Sequence, residues 1–361
     1  MHPAPPSPSD RSPNPGRSEL FDALDFEPQR RSARRSPSVK PEDRLLVPEP
    51  ESPPPSPPRL VHRDDSNGIW LYHGDCLDFL NAIASAHPDG VFDMVFADPP
   101  YFLSNGGWTC QGGRRISVDK GNWDRSGGFQ ADHKFNLAWL RGCRRVLKPN
   151  GTLWVTGTHH NVFSVGFALQ HLGFRILNDI AWEKPNPPPN LSCRCFTHST
   201  ETLLWAARGE RSKYAFNYEL LRQINGGRQM QTVWAMNAPT VQERAFGEHP
   251  TQKPLALVQR CLLATTQEGD LVLDPFLGSG TTASACARTR RRCVGVESRD
   301  SYLRIATTRT KAEIEQGADL FARPLEPRLP VLLLPVWEVV SSLSGRHGFS
   351  RSATAAVKPS S

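Results

Sequence analysis

The tetrapeptide Asp98-Pro99-Pro100-Tyr101 follows an apolar stretch, residues 92–97, that is typical of a buried strand. Its groups suit the activation of an exocyclic amine, which is a poor nucleophile because its lone pair is delocalised into the ring. The Asp98 carboxylate and the Pro99 carbonyl can accept the amine hydrogens and favour a tetrahedral nitrogen. Tyr101 adds a ring on which a base can stack. A proline-rich strand exit beside a chance aromatic residue is the alternative interpretation of this segment alone.

A second candidate segment, residues 273–282 (LDPFLGSGTT), lies between a predicted strand and a predicted helix. Its glycines let the backbone approach a ligand closely at a helix N-terminus. Glu297 ends the next predicted strand, 23 residues beyond Asp274, where a carboxylate can accept hydrogen bonds from ribose hydroxyls. This spacing predicts a nucleoside-containing cofactor, and a glycine-rich turn in an unrelated sheet protein is the alternative.

Strands and helices alternate from residue 69 onward. Predicted strands cover residues 69–73, 92–97, 152–156, 175–182, 271–274 and 292–296, and predicted helices cover 76–86, 134–147, 161–172, 255–266 and 281–289. Both candidate segments follow strands, as functional turns do at the carboxyl edge of a parallel sheet. The less periodic residues 183–250 interrupt the alternation. The pattern on both sides of this insert predicts one doubly wound α/β domain.

Charge and composition divide the chain near residue 58. Sixteen of the 33 prolines precede Arg59. Residues 1–58 hold eight Lys/Arg against nine Asp/Glu, a net charge of −1. Because the whole chain has a net charge of +7, the remainder carries +8. The proline-rich segment has the composition of a disordered tail, and the basic remainder favours a polyanionic partner. No signal peptide or membrane-spanning stretch is predicted, which indicates a soluble intracellular protein.

The eight cysteines are scattered, and reduced thiols are expected. Cys193 and Cys195 lie near His198, but this spacing fits no common zinc site. We therefore predict no bound metal.

The two candidate segments together resemble the amino-methyltransferase family of DNA methyltransferases, from about residue 69 to about residue 309. Four segments are similar to the DpnII-type, GATC-modifying adenine methyltransferases: 98–107 (DPPYFLSNGG), 189–193 (PNLSC), 196–201 (FTHSTE) and 249–254 (HPTQKP). The tetrapeptide precedes the cofactor loop by about 175 residues, which resembles the permuted β arrangement of the family, with target recognition between the halves. Protein and ribosomal amine methyltransferases usually place the cofactor loop first.

The resemblance implies a doubly wound α/β fold with a mostly parallel, seven-stranded, Rossmann-like methyltransferase sheet and an inserted target-recognition region. The expected boundaries are a disordered tail (1–64), a catalytic half (65–182), the target-recognition insert (183–248), a cofactor-binding half (249–325) and a C-terminal extension (326–361).

The activity implied by the resemblance is methyl transfer from S-adenosylmethionine to the exocyclic N6 of adenine in duplex DNA, by base flipping and direct in-line transfer. Asp rather than Ser at position 98 favours adenine, but enzymes of both specificities carry Asp there, so N4-cytosine methylation stays open. A catalytically inactive DNA-binding protein is disfavoured by the intact motifs. Methylation of RNA or of a protein amide is disfavoured by the motif order. Methylation at cytosine C5 is also disfavoured, because it needs a nucleophilic cysteine that usually follows a proline, and this chain has no Pro-Cys pair.

The resemblance assigns roles position by position. The catalytic residues would be Asp98, Pro99, Pro100 and Tyr101. Asp75 would accept from the adenine amine of the cofactor, Phe276 would pack on that adenine and Glu297 would bind the ribose, while Thr251 and Lys253 would contact the methionine carboxylate. The full cofactor-binding set is Asp75, Thr251, Lys253, Asp274, Pro275, Phe276, Gly278, Ser279, Gly280 and Glu297. The expected DNA contacts mix cations with aromatic rings: Trp108, Arg114, Arg115, Lys120, Trp123 and Arg228.

The partners implied are double-stranded DNA, with single-stranded DNA as a second candidate, and a cognate restriction endonuclease. The expected chain is a monomer or a homodimer in the bacterial cytoplasm, associated with the nucleoid.

Overall fold

The structure is a computed structural model that describes residues 57–106, 108–111, 114–117 and 119–318. The predicted tail up to residue 56 and the predicted C-terminal extension lie outside the described residues. The strands are β1 (Arg59–Asp64), β2 (Ile69–His73), β3 (Phe92–Ala97), β4 (Trp108–Gln111), β5 (Arg114–Ser117), β6 (Leu147–Gly157), β7 (Arg175–Glu183), β8 (Thr200–Ala207), β9 (Val233–Ala235), β10 (Leu271–Asp274) and β11 (Arg292–Glu297). The helices are α1 (Cys76–Ala86), α2 (Phe129–Val146), α3 (Val162–His171), α4 (Tyr218–Ile224), α5 (Leu255–Thr265), α6 (Thr281–Arg288) and α7 (Asp300–Ala318).

Nine of these strands form one sheet in the order β1-β2-β11-β10-β3-β6-β8-β7-β9, and β4 and β5 form a separate hairpin. Neighbours from β2 to β6 run parallel, whereas β1 and β8 are antiparallel to their neighbours. The central strands are continuously apolar because both faces of the sheet are covered. The doubly wound α/β fold is therefore confirmed.

Side chains of β3 show how the two faces are filled. Val95 and Ala97 pack in the cluster that includes residues of α1, α2 and α3, while Met94 and Phe96 pack in the cluster that includes residues of α5 and α6. This alternation follows from the period of two in a strand. Helices from both halves of the chain thus share one sheet, and that sheet fixes the strand ends that carry the candidate residues.

Three sequence expectations need correction. The sheet has nine strands among the described residues instead of seven, because β1 and β9 extend its two edges. The tail cannot reach residue 64, since Arg59–Asp64 is β1; this edge strand is mostly exposed, so it lacks an apolar pattern. The insert cannot run unbroken from 183 to 248, since Thr200–Ala207 is β8, which pairs with both β6 and β7 inside the sheet.

None of the helices in the described part of the chain is both long enough and apolar enough to cross a membrane.

Candidate active site

The topology brings the two candidate segments together although they lie far apart in sequence. Strands β3 and β10 are parallel neighbours, so the turn after Ala97 and the loop after Asp274 leave the same edge of the sheet. A cavity of about 200 Å³ opens between them, and its wall includes Asp98 and Pro100 as well as Asp274 and Gly278. The Asp98 turn and the glycine loop therefore line one continuous space.

The backbone after the tetrapeptide is held by one buried carboxylate. Asp124, 1% exposed, accepts hydrogen bonds from the backbone N–H groups of Tyr101 (2.9 Å) and Phe102 (2.8 Å) and from the hydroxyl of Ser104 (2.8 Å). Phe102 has a φ of 60°, in the left-handed region that a residue with a side chain rarely adopts. The Asp124 bonds fix this unusual turn and hence the direction in which Asp98 and Tyr101 point.

The Asp98 carboxylate is surrounded by donors. Lys253 Nζ donates to Oδ2 at 2.7 Å, while Thr156 Oγ1 at 2.5 Å and the Tyr101 hydroxyl at 3.0 Å both lie on Oδ1. Burial alone would raise the pKa of Asp98, but the Lys253 charge and the hydrogen bonds from all three donors hold that pKa below its usual value. Asp98 is therefore an ionised acceptor at neutral pH.

Tyr101 is buried, 7% exposed, and its hydroxyl lies between two carboxylates. It is 3.0 Å from Asp98 Oδ1 and 3.1 Å from Glu201 Oε2. Burial and these two negative charges raise the pKa of Tyr101 well above its usual value, so the hydroxyl stays a donor. Lys120 Nζ lies 5.8 Å from the ring centre. The expectation of an open stacking face on Tyr101 is thus not met in this conformation.

The glycine loop joins the end of β11 through Glu297. The backbone N–H of Gly278 donates to Glu297 Oε2 at 2.9 Å, and that of Arg299 donates to Oε1 at 2.8 Å. Gly278 has a φ of +53°, and a Cβ atom there would lie 3.0 Å from His249 Nε2. Glycine suits this position for two reasons: the backbone has a positive φ, and the Cβ atom of any other residue would crowd the His249 ring.

Two aspartates line the cavity: Asp274 is buried, whereas Asp75 is exposed. Burial raises the pKa of Asp274 to about 7, and the backbone N–H of Phe276 donates to its Oδ1 at 2.9 Å. Asp75 caps the N-terminus of α1 by accepting from Leu77 N–H at 2.8 Å and also lines the cavity. These acids, with the Phe276 ring beside them, fit a ligand that combines a cation, an amine and hydroxyl groups.

His249 also lines the cavity. Its ring stacks on Trp123 with centroids 6.4 Å apart and meets Tyr302 edge-on at 4.3 Å. Its Nδ1 accepts from the Thr251 N–H at 3.3 Å, and burial lowers its pKa to about 4. A neutral imidazole therefore lines the cofactor side of the cavity.

The structure places most of the expected cofactor residues in this wall. They are Asp75, Thr251, Lys253, Asp274, Pro275, Phe276, Gly278, Ser279 and Glu297. Gly280 instead lies at the N-terminus of α6, where an added Cβ atom would meet the Ala306 backbone of α7 at 2.8 Å. Lys253 is in the wall, but its ammonium group pairs with Asp98.

The structure describes the side chains of three of the six residues expected to contact DNA. Trp123 lines the cavity, Lys120 is half-buried beside the Tyr101 ring, and Arg228 is exposed after α4. The side chains of Trp108, Arg114 and Arg115 lie outside the described residues, although their backbone forms the β4–β5 hairpin. Of the three expected DNA contacts whose side chains are described, Lys120 and Trp123 thus lie at the candidate site, and Arg228 does not line its cavity.

Four contributors to the site escaped assignment from the sequence: Asp124, Thr156, Glu201 and His249. Glu201 and His249 lie in two of the segments that resemble the adenine methyltransferases, and this resemblance could have identified them as candidate site residues. Thr156 is the last residue of a predicted strand, and nothing in its sequence context distinguishes it from the other residues of that strand. Asp124 carries no signal at all, since its function is to accept from a backbone more than 20 residues away.

We expect Glu297→Ala to weaken S-adenosylmethionine binding by roughly tenfold, since the substitution removes a buried acceptor and leaves two loop N–H groups without their partner. Calorimetric titration with the cofactor alone measures this effect. The exposed Glu268, replaced in the same way, is the matched control and should bind normally. Equal affinities in the Glu297 variant and the parent would place the ribose elsewhere.

Comparisons with known proteins agree with this geometry. The DNA methylase family model N6_N4_Mtase matches residues 92–308. The chain is 49% identical over 252 residues to the type II methyltransferase M2.DpnII of Streptococcus pneumoniae (70% of this chain, 92% of the relative). It is 51% identical over 249 residues to M2.LlaDCHI of Lactococcus lactis subsp. cremoris (69% and 90%).

Solved structures share the fold. The M1.HpyAVI–SAM complex is 26% identical with a TM-score of 0.52, covering 67% of this chain and 98% of that one. The cytosine-N4-specific PvuII DNA methyltransferase, at 17% identity and a TM-score of 0.54, covers 76% and 93% and shows the fold alone. With a family match over more than half of its length and relatives near 50% identity, this chain belongs to the N6/N4 DNA methylase family.

Proposed function

We propose that this chain transfers a methyl group from S-adenosylmethionine to the exocyclic N6 of adenine in duplex DNA. The observation that carries the proposal is the continuity of the site: the ionised Asp98 and the glycine loop face one cavity. A related enzyme, M1.HpyAVI, has been solved with S-adenosylmethionine. When bound, this cofactor supplies a methyl group activated by a sulfonium cation.

The residues around the cavity divide the work between cofactor and base. Glu297 and Asp75 are the acceptors for ribose hydroxyls and for the cofactor amine, and Phe276 provides an apolar surface for its adenine ring. The Thr251 hydroxyl is the candidate for the carboxylate end, since the Lys253 ammonium group, which the family resemblance also assigns there, is paired with Asp98. Gly278 leaves the space that these contacts require.

Asp98 and the Pro99 carbonyl accept the two hydrogens of the target amine, which draws its nitrogen toward a tetrahedral geometry. The lone pair then points at the methyl group, and the positive charge that develops on nitrogen is stabilised by the Asp98 carboxylate. S-adenosylmethionine held by the residues named above would supply the methyl group, with its sulfur as the leaving group. The surplus proton of the methylated amine would pass to the Asp98 carboxylate, which already accepts a hydrogen bond from it. Direct transfer of the methyl group to the amine requires no covalent intermediate with the enzyme.

The target base has to leave the duplex to reach Asp98. The Tyr101 ring is buried, with Lys253 Nζ 5.1 Å and Lys120 Nζ 5.8 Å from its centre, so stacking of a base on it requires these side chains to move. The expected DNA contacts Trp108, Arg114 and Arg115 belong to the same loop region as Lys120, 102–128. We infer that DNA binding and exposure of Tyr101 occur together.

Adenine is favoured over cytosine by Asp98 and by the DpnII-type segments around it. The fold does not choose between the bases, since the PvuII enzyme shares it and is cytosine-N4-specific. The type II relatives lead us to infer a restriction–modification system, in which a cognate endonuclease cuts DNA that lacks the methyl group. Because its proposed substrate is DNA, we also infer that the enzyme acts at the nucleoid.

Transfer of a labelled methyl group tests this function. Tritiated S-adenosylmethionine is incubated with the protein and, separately, with unmethylated duplex DNA, RNA or a protein mixture. The proposal predicts label on DNA alone. Label on RNA or protein with none on DNA would overturn it.

A further inference from the structure

Two hydrogen-bond donors occupy the Asp98 carboxylate in addition to Thr156. Lys253 Nζ lies 2.7 Å from Oδ2, and the Tyr101 hydroxyl lies 3.0 Å from Oδ1. Both donors are buried: Lys253 is 6% exposed and Tyr101 is 7% exposed. Asp98 therefore has little acceptor capacity left for a base in this conformation.

This arrangement conflicts with methyl transfer for an electrostatic reason. Positive charge develops on the target nitrogen during the reaction, and a carboxylate stabilises it best when no cation already shares that carboxylate. An ammonium group held on Oδ2 both blocks an acceptor site and repels the developing charge. The Lys253–Asp98 pair has to loosen before the amine can take its place.

Glu201, in β8, lies within reach of both donors. Its Oε2 is 3.1 Å from the Tyr101 hydroxyl and 3.8 Å from Lys253 Nζ, while its Oε1 pairs with Lys184. Lys253 Nζ is thus about one ångström farther from Glu201 than from Asp98. The tyrosine proton can go to only one of the two carboxylates at a time.

We propose that Glu201 is a positioning residue for methyl transfer, which draws Lys253 and the Tyr101 hydroxyl away from Asp98 when the target amine arrives. The proposal rests on the proposed function and adds a residue to it. Glu201 is suited to this task because it is buried, 9% exposed, and faces the same two donors as Asp98. This change of partner breaks and forms hydrogen bonds only, so Lys253, Tyr101, Asp98 and Glu201 all keep their charge states.

Charge balance supports the exchange. Two carboxylates, Asp98 and Glu201, share two ammonium groups, Lys253 and Lys184. Burial alone would lower the pKa of Lys253, but both carboxylates raise it above its usual value, so Lys253 stays a cation wherever it pairs. Its movement toward Glu201 keeps the buried charge compensated, whereas movement into an apolar wall would not.

The substitution Glu201→Gln tests the proposal because it keeps an oxygen for Tyr101 and removes the negative charge that attracts Lys253. We expect the single-turnover rate of methyl transfer, measured from a preformed enzyme–cofactor–DNA complex, to fall about tenfold to a hundredfold. The dissociation constants for S-adenosylmethionine and DNA should stay within about threefold. Melting curves of the variant and the parent establish that both are folded.

Glu183→Gln is the matched control, because Glu183 is an exposed glutamate at the end of the paired strand β7 and should leave the rate unchanged. A wild-type single-turnover rate in Glu201→Gln would overturn the inference. Loss of cofactor and DNA affinity in parallel with the rate would also overturn it, since that pattern indicates a structural role. If the wild-type chain transfers no methyl group to DNA, the proposed function fails and this inference fails with it.

A double-substitution cycle separates the two donors. Tyr101→Phe removes the hydroxyl proton and keeps the ring, so Glu201 then has only Lys253 left to attract. We expect the rate loss caused by Glu201→Gln to be smaller in the Tyr101→Phe background than in the parent. Losses that multiply independently would contradict the shared action of Glu201 on both donors.

Discussion

Asp98→Ala should lower the single-turnover rate of methyl transfer by at least about a hundredfold, the size expected when a group central to transition-state stabilisation is removed. The binding of S-adenosylmethionine should change far less, because Asp98 is assigned to the target amine. The fold should persist, since Glu201 remains within 3.8 Å of Lys253 and keeps its buried charge compensated.

Quench-flow measurement of labelled DNA, with calorimetry for the cofactor, separates these two effects. Asp89→Ala, an exposed aspartate after α1, is the matched control and should behave like the parent. Near-normal turnover in Asp98→Ala would remove the tetrapeptide from the catalytic machinery.

Gly278→Val should weaken cofactor binding by roughly tenfold to a hundredfold, which corresponds to the ~1–3 kcal/mol of a side chain forced into a strained backbone region. The valine would have to adopt a φ near +53° with its Cβ atom 3.0 Å from His249 Nε2. Both effects narrow or distort the cavity wall that the cofactor touches. Calorimetric titration of the purified variant measures the loss.

Gly269→Val provides a control for backbone strain alone. Gly269 has a φ of +81°, and no atom lies within 4 Å of an added Cβ atom, at a turn that does not line the cavity. This variant should lose stability but bind the cofactor normally. Cofactor affinity that falls equally in both variants would show that the Gly278 effect comes from global destabilisation.

Sequence and structure agree where local pattern decides the outcome. The strands that precede Asp98 and the glycine loop were predictable because each is a short apolar run that ends at a distinctive turn. That these two strands are neighbours is shown by the structure, in the parallel pairing of β3 with β10. Two further strands were harder to predict. The edge strand β1 is largely exposed, and β8, which lies inside the sheet, falls in a sequence segment that otherwise lacks periodicity.

The side-chain network of the site was not predictable, because long-range contacts create it. Glu201 meets Tyr101 across 100 residues, and Lys253 meets Asp98 across 155. Taken alone in the sequence, Lys253 would be expected to be an exposed surface cation. Its burial and its ion pair with Asp98 arise only when the segment that carries Lys253 folds against the end of β3.

The chemical identity of the methylated base tests the central claim most directly. Unmethylated genomic DNA is treated with the protein and S-adenosylmethionine, digested to nucleosides and analysed by mass spectrometry beside a sample treated with Asp98→Ala. Our account predicts N6-methyladenine in the first sample and none above background in the second. N4-methylcytosine as the only product would contradict the assignment of adenine.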